Sequence, residues 1–259
     1  MARTILDAQL QEIRAKIIEL GDLAILSLEQ ALQAVQSRDQ ALCGLVVASG
    51  TVIDELRSEV ERLTFRALTL QQPLGGRDLR FLSSAPSITS DLERAGSNAT
   101  GIAKLLLRMT PLWRSGISTM QVDPSQISDM PQDQLSDHVV TETAIIAGII
   151  DLGHEARRVL QGTMQAFAKN DASSAREIWQ EDDVVDVRYH LVRHDILTML
   201  AGIHAITALQ QDELIMQRMT YWLWIAHNLE RVGDHCTNIC ERITFFIEGD
   251  ATIKPASEV

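Results

Sequence analysis

Hydrophobic residues recur every three or four positions along most of this chain, as they do on one face of a helix. The pattern is clearest over residues 79–109 and 222–246. It is interrupted by longer polar, glycine- or proline-containing segments and by two short bends, at residues 71–78, 109–132, 200–212, 38–39 and 170–171. The pattern therefore predicts three long helices, a linker and three further helices.

The two halves of the chain repeat each other. Three pairs of identical residues are separated by 132 positions: Gly21 and Gly153, Asp39 and Asp171, and Asp54 and Asp186. Glu93 and Glu230 are separated by 137, so the second half has five extra residues between its second and third helices. We therefore predict an all-α fold of two tandem three-helix bundles. The predicted units are a first repeat, a linker, a second repeat and a C-terminal tail, at residues 1–110, 111–132, 133–249 and 250–259.

Composition supports helices and narrows the class of protein. Hydrophobic residues make up 46% of the chain but aromatic residues only 4%, which favours helix over sheet. The net charge of -12 would repel nucleic acid, so we expect no direct nucleic-acid ligand. The three cysteines suggest no disulfide framework, and neither a signal peptide nor an apolar membrane segment is evident. We expect a cytoplasmic protein.

Four carboxylates in the second half are spaced to meet in one place. Asp182 and Asp186 are four residues apart, as are Glu230 and Asp234, so each pair lies on one face of its helix. Position 208, within the break at 200–212, is the midpoint between Asp182 and Asp234 and also between Asp186 and Glu230. Two antiparallel helices that turn there would bring all four side chains level.

Such a cluster predicts a metal site. Neighbouring carboxylates repel one another, and a hard or borderline cation with oxygen ligands relieves that repulsion. His190 continues the stripe of Asp182 and Asp186, and His227 precedes Glu230 by three positions, so these histidines are weaker candidate ligands. The alternative is a set of solvated surface charges, partly neutralised by nearby arginines.

The first half has the same spacing with fewer acids. The stretch LERVGD at 229–234 has a near copy, LERAGS, at 92–97, which ends on Ser97 instead of an aspartate. Asp54 and Glu93 match the acids of the second half, but Gly50 and Ser97 occupy the other two positions. We therefore place the metal site mainly on the second repeat, with Asp54 and Glu93 as weaker candidates. Gly96 and Gly233 are expected to allow close approach of helices.

The sequence resembles the PhoU family. The resemblance rests on the duplicated layout and on three stretches: DLERAGSNATGIA at 91–103, NLERVGDHCTNICERI at 228–243 and DDVVD at 182–186. It implies an all-helical cytoplasmic protein, often a homodimer, that acts between a phosphate (Pst) ABC transporter ATPase and a PhoR-type sensor kinase. It also implies that the protein reaches the membrane only through those partners. Some members hold iron or zinc clusters through E/DxxxD motifs, which correspond here to Asp182, Asp186, Glu230 and Asp234.

From the resemblance we expect an adaptor that is not an enzyme. It would negatively regulate phosphate uptake and the phosphate-starvation response. The sequence has no glycine-rich phosphate loop, nucleophilic triad or nucleotide signature that we can identify. Two alternatives stay open: a carboxylate-bridged, metal-dependent hydrolase, and a metal-free helical scaffold.

Overall fold

The structure, a computed structural model, describes residues 2–70, 73–114, 121–127, 136–205 and 212–250. Its helices are α1 (Ala2–Ser37), α2 (Gln40–Leu70), α3 (Gly76–Met109), α4 (Glu142–Lys169), α5 (Ala172–Gln180), α6 (Asp182–Ala205) and α7 (Asp212–Glu248). Two-residue strands, β1 (Gln121–Val122) and β2 (Val140–Thr141), pair antiparallel between the two sets of helices. The predicted all-α fold with two three-helix repeats is confirmed, with one helix divided.

That division separates α5 from α6. Together these two helices correspond to the single helix α2 of the first repeat, and they are interrupted at Glu181. The backbone N–H of Glu181 donates to the carbonyl of Ile178, which closes α5, and α6 begins at Asp182. The repeat alignment predicted one continuous helix here, because no proline or glycine marks the interruption in the sequence. Asp182 consequently lies in the first turn of a helix, where a carboxylate is favourable.

The two predicted bends are confirmed, and they lie at equivalent positions of the repeats. Arg38 and Asn170 both have the left-handed backbone conformation, with φ of 57° and 53°. The aspartate that follows each bend caps the next helix: the N–H of Ala41 donates to Asp39 Oδ1 at 2.8 Å, and the N–H of Ser173 donates to Asp171 Oδ1 at 3.0 Å. The same local chemistry therefore turns the chain in both copies.

The repeats pack against each other through α3 on α7 and α1 on α4, and the buried hydrophobic residues form one core that includes both repeats. Gly21 of α1 lies against Met164 of α4, and Gly153 of α4 lies against Leu32 of α1. Each contact is the repeat equivalent of the other, so the interface has approximate twofold symmetry. A side chain at either glycine would overlap the opposite helix, which explains why glycine occurs at this position in both copies.

A buried ion pair holds the start of α4 against α7. The guanidinium of Arg218, which is 1% exposed, pairs with both carboxylate oxygens of Glu142, with an Nε–Oε1 distance of 2.5 Å. Trp222 donates its indole N–H to the same Oε1 at 2.8 Å, and Arg218 also donates to the carbonyl of Leu112 at 3.3 Å. The carboxylate is thus fully hydrogen-bonded, which offsets the cost of burying its charge.

Several predictions fall outside the described residues. Positions 115–120 and 128–132 of the predicted linker are among them, as are the midpoint 208 and most of the predicted tail. The domain boundaries therefore stay predictions. Within the described ranges, no helix is both long and apolar enough to cross a membrane.

Candidate functional site

The predicted register of the α6 and α7 pair is confirmed by contacts at Gly233. An added β-carbon at Gly233 would overlap the Asp182 carboxylate and would lie 3.2 Å from Val185 Cγ1. In the first repeat, a β-carbon at Gly96 would lie 2.5 Å from Ile53 Cδ1, and Ile53 is the equivalent of Val185. Both glycines therefore allow the close helix approach that was predicted, and the two hairpins share one register.

This register brings Asp182, Asp186, Glu230 and Asp234 into mutual electrostatic range; we call these four residues the acid patch. Burial, followed by the charges of Asp186 and Asp234, raises the pKa of Asp182 to about 7. Burial and then Asp234 likewise raise the pKa of Asp186 and that of Glu230. The carboxylates repel one another, as expected for like charges that share a partly desolvated site.

The acid patch is not a completed coordination shell. Among the side chains that the structure describes, no group of three or more His, Cys, Asp or Glu residues is arranged so that it could hold a metal ion. The buried Oδ1 of Asp182 lies against Gly233, and no donor in the described part of the chain forms a hydrogen bond with it. Glu230 Oε2 instead lies 3.1 Å from His227 Nδ1. The carboxylate oxygens of the patch, including the unsatisfied buried Oδ1 of Asp182, are the hard ligands that a cation needs. The four side chains would have to change direction to surround that cation.

The two candidate histidines lie beside the acid patch. His227 lies against Glu230 and opposes part of the rise in the pKa of that carboxyl, and His190 opposes part of the rise in the pKa of Asp186. Both imidazoles flank the ring of Tyr189, with centroid distances of 5.7 Å for His190 and 6.3 Å for His227. Their role as metal ligands stays a prediction.

The corresponding position of the first repeat has different chemistry. Ser97 donates its hydroxyl to Glu93 Oε1 at 2.7 Å, so a hydrogen-bond donor stands where the second repeat has a repelling carboxylate. Asp54 is exposed to solvent. A β-carbon at Gly50 would lie 3.5 Å from Thr100 Oγ1, so a hydroxyl group also faces the second substituted position. The first repeat therefore keeps the scaffold of the acid patch without its accumulated charge.

A polar link between the repeats was missed from the sequence. The buried His235 of α7 lies with Nδ1 3.0 Å from Asp91 Oδ1 of α3, and the side-chain amide of Asn238 donates to the same oxygen at 3.4 Å. Asp91 immediately precedes the first copy of the six-residue stretch, and His235 immediately follows the second. Their positions beside the two copies of the motif were a sequence signal for a contact, but only the packing of α3 on α7 shows that Asp91 and His235 meet.

Comparison with known proteins gives a consistent result. The PhoU domain matches residues 17–106 and 149–243. A Caulobacter vibrioides protein named as a phosphate-specific transport system accessory protein PhoU homolog is 29% identical, over 93% of this chain and 89% of that protein. A homolog of the same name from Streptococcus pneumoniae is 28% identical, over 94% of this chain and 95% of that protein. These relatives are named as accessory proteins and not as enzymes.

Two solved structures share the fold. The crystal structure of the phosphate transport system regulatory protein PhoU from Streptococcus pneumoniae aligns with a TM-score of 0.68 and 28% identity, over 95% of this chain and 99% of that one. The crystal structure of PhoU from Pseudomonas aeruginosa aligns with a TM-score of 0.74 and 23% identity, over 94% of this chain and 99% of that one. Both alignments extend through the two repeats, so the duplicated architecture belongs to the whole chain.

Proposed function

The chain belongs to the PhoU family, and we propose that it is an accessory protein of a phosphate-specific transport system that negatively regulates phosphate uptake and the phosphate-starvation response. The observation that carries this proposal is the extent of the similarity. Relatives named as accessory proteins of phosphate-specific transport align over 93% and 94% of the chain, so both repeats are included.

In this role the protein is an adaptor, most simply a cytoplasmic homodimer. Its partners would be the ATPase of a phosphate ABC transporter and a PhoR-type sensor kinase, and it would reach the membrane only through them. Two packed repeats offer long exposed helix faces to such partners, and the net charge of -12 makes nucleic acid an unfavourable one.

The metal proposal concerns the second repeat. Asp182, Asp186, Glu230 and Asp234 would hold a divalent cation, with iron or zinc as the expected metals, and His190 and His227 lie close enough to contribute. The support is electrostatic: burial and then the neighbouring carboxylates raise the pKa values of Asp182, Asp186 and Glu230, and Asp182 Oδ1 lacks a hydrogen-bond donor among the described residues. Binding a cation would relieve this repulsion and hold α6 against α7. Asp54 and Glu93 are weaker candidate ligands, since Glu93 Oε1 already accepts a hydrogen bond from Ser97.

A deletion experiment tests the regulatory role. A strain lacking this protein should express a phosphate-starvation reporter even when phosphate is abundant, and the wild-type chain should restore repression. A reporter that stays repressed in the deletion strain contradicts the proposal. So does steady turnover of a generic phosphoester by metal-loaded protein if Asp186→Ala abolishes it, because that result would make the protein a hydrolase.

Metal analysis of the purified full-length chain tests the site. Glu230→Ala should remove most of the bound iron or zinc, because Glu230 lies within the acid patch. Glu93→Ala is the matched control in the first repeat and should leave most of the metal in place. Equal losses from both variants would contradict the assignment to the second repeat, and less than about a tenth of a metal per wild-type chain would favour the metal-free scaffold.

A further inference from the structure

The outward side of α6 carries an exposed stripe of apolar side chains. Val184, Val187 and Leu191 are 41%, 58% and 64% exposed. Their spacing of three and then four residues places them on one side of the helix, away from the buried Val185 and Val192. Single exposed hydrophobic residues are common on protein surfaces, whereas a continuous stripe along two turns of a helix indicates a binding surface.

The first repeat shows that the fold does not require this stripe. The core-facing residues Val185 and Val192 have the apolar equivalents Ile53 and Val60, which are also buried. Two of the three outward positions differ: Val187 and Leu191 correspond to Glu55 and Glu59, whereas Val184 corresponds to the exposed Val52. Glu55 is exposed, and Glu59 pairs with Lys16 at 3.3 Å. The same scaffold therefore accepts charged residues where the second repeat exposes apolar ones.

The surroundings of the stripe determine what charge a partner needs. Asp182 and Asp183 lie in the first turn of α6, and Asp186 follows one turn later. Arg188 is the one lysine or arginine between residues 182 and 191. Asp183 is exposed and stands outside the predicted metal set, so its charge stays available to a partner in either metal state. An acidic helix or an anionic surface would be repelled here, and a basic one attracted.

We propose that the stripe of Val184, Val187 and Leu191 binds a basic amphipathic helix of a partner protein. The apolar side of that helix would cover the stripe, and its lysine or arginine residues would lie opposite Asp183. From Val184 to Leu191 the stripe is about 10 Å long, which matches two turns of a docked helix. This inference deepens the proposed adaptor role and rests on it, because an adaptor needs a surface for its partner. It does not depend on bound metal.

Binding of a defined peptide to the purified full-length chain tests the inference. The probe is a fluorescent 18-residue helical peptide with leucines at spacings of three and four and lysines on the other side. Its affinity is measured by fluorescence anisotropy. The variant Val187→Glu with Leu191→Glu should bind at least about tenfold more weakly. Because this variant is also more acidic, attraction by charge alone would instead strengthen binding of the basic peptide. Equal or tighter binding to the variant therefore overturns the proposal.

Two controls make the result specific. Val52→Glu changes the exposed first-repeat equivalent of Val184 and should alter affinity less than twofold; a loss as large as that of the double variant overturns the proposal. A peptide of the same composition without the leucine stripe should bind at least tenfold more weakly than the probe, and equal binding also overturns it.

Size-exclusion chromatography provides a further test. If the wild-type chain is a dimer and the double variant is a monomer, the stripe is a self-association face and the proposal is wrong. The expected result is an unchanged oligomeric state. If the double variant lost peptide binding but still repressed the reporter in cells, the proposed regulatory role would stand without this surface. The proposal for the stripe and the proposal for the regulatory role can therefore fail separately.

Discussion

The two repeats share one scaffold and differ in their surface chemistry. In both, a glycine lets the second and third helices approach closely: Gly96 lies against Ile53, and Gly233 against Val185. At the neighbouring positions the first repeat places Ser97 in a hydrogen bond to Glu93, whereas the second places four mutually repelling carboxylates. The scaffold tolerates either arrangement, so the fold itself does not require the charge of the second repeat.

The outer helix faces show the same contrast. Glu55 and Glu59 occupy positions in the first repeat where Val187 and Leu191 are exposed in the second. Exposing apolar side chains gains nothing for folding, since they stay in water in the native state. Both departures from the first repeat thus lie on α6 or on the part of α7 beside it, which is the region that carries both of our proposals.

The largest expected effect tests the shared scaffold. Gly153→Val should lower the free energy of unfolding by about 2 to 3 kcal/mol, because the new side chain would overlap Leu32. Gly21→Val should cost less, because Met164 is a more flexible neighbour. Chemical denaturation measures both changes. Gly44→Ala is the control: the space beside Gly44 is open, so alanine should stabilise α2 by up to about 1 kcal/mol. If both valine variants were as stable as the wild-type chain, the two repeats could not pack as closely at these glycines as the structure shows.

An intermediate effect should follow from rebuilding the acid patch in the first repeat. Gly50→Asp combined with Ser97→Asp should lower the free energy of unfolding without metal by about 1 to 2 kcal/mol, because it places new charges beside Asp54 and Glu93. With zinc present, the variant should bind more metal per chain than the wild type, as measured by elemental analysis.

The control for this variant is Gly50→Ala with Ser97→Ala, which changes the same positions without adding charge. It should leave metal content unchanged. If the two aspartates neither destabilise the metal-free protein nor increase its metal content, then the difference between the repeats does not depend on these two positions.

The smallest expected effect is a pH dependence. The pKa of Asp182 is raised from 3.8 to about 7, so between those values the folded chain holds a proton that the unfolded chain has released. Stability therefore falls as pH rises through this window, and the loss is complete above pH 7. Asp182→Asn removes this dependence. The variant should match the wild type near pH 4 and be more stable by about 1 kcal/mol at pH 8, after allowance for solvent screening.

Thermal denaturation across this pH range measures the difference between the two proteins. Asp54→Asn, which changes an exposed carboxylate of the first repeat, is measured beside it as the matched control. A constant difference between Asp182→Asn and wild type at all pH values would mean that folding does not change the pKa of Asp182. Burial and repulsion within the acid patch would then be too weak to support a metal proposal.

The sequence predicted the register of the α6 and α7 pair, because both acid pairs share a midpoint within the break at 200–212. That register placed Asp182 level with Asp234, and the contact of Asp182 with Gly233 agrees with it. The break between α5 and α6 at Glu181 was not predicted, because Glu181 carries no local signal for a helix end. The pairing of Asp91 with His235 was also missed, since it depends on how α3 of one repeat packs on α7 of the other.

By itself, the sequence determined the periodicity of the helices, the bends at Arg38 and Asn170, and the unequal distribution of acids between the copies. These features are local, or they repeat at a fixed spacing, so the order of residues is sufficient to reveal them. Only the tertiary structure decided that the Asp182 carboxyl lies partly buried against Gly233 and that Val187 and Leu191 stay exposed. Burial depends on what a neighbouring helix covers, and the spacing of residues along one helix does not specify that.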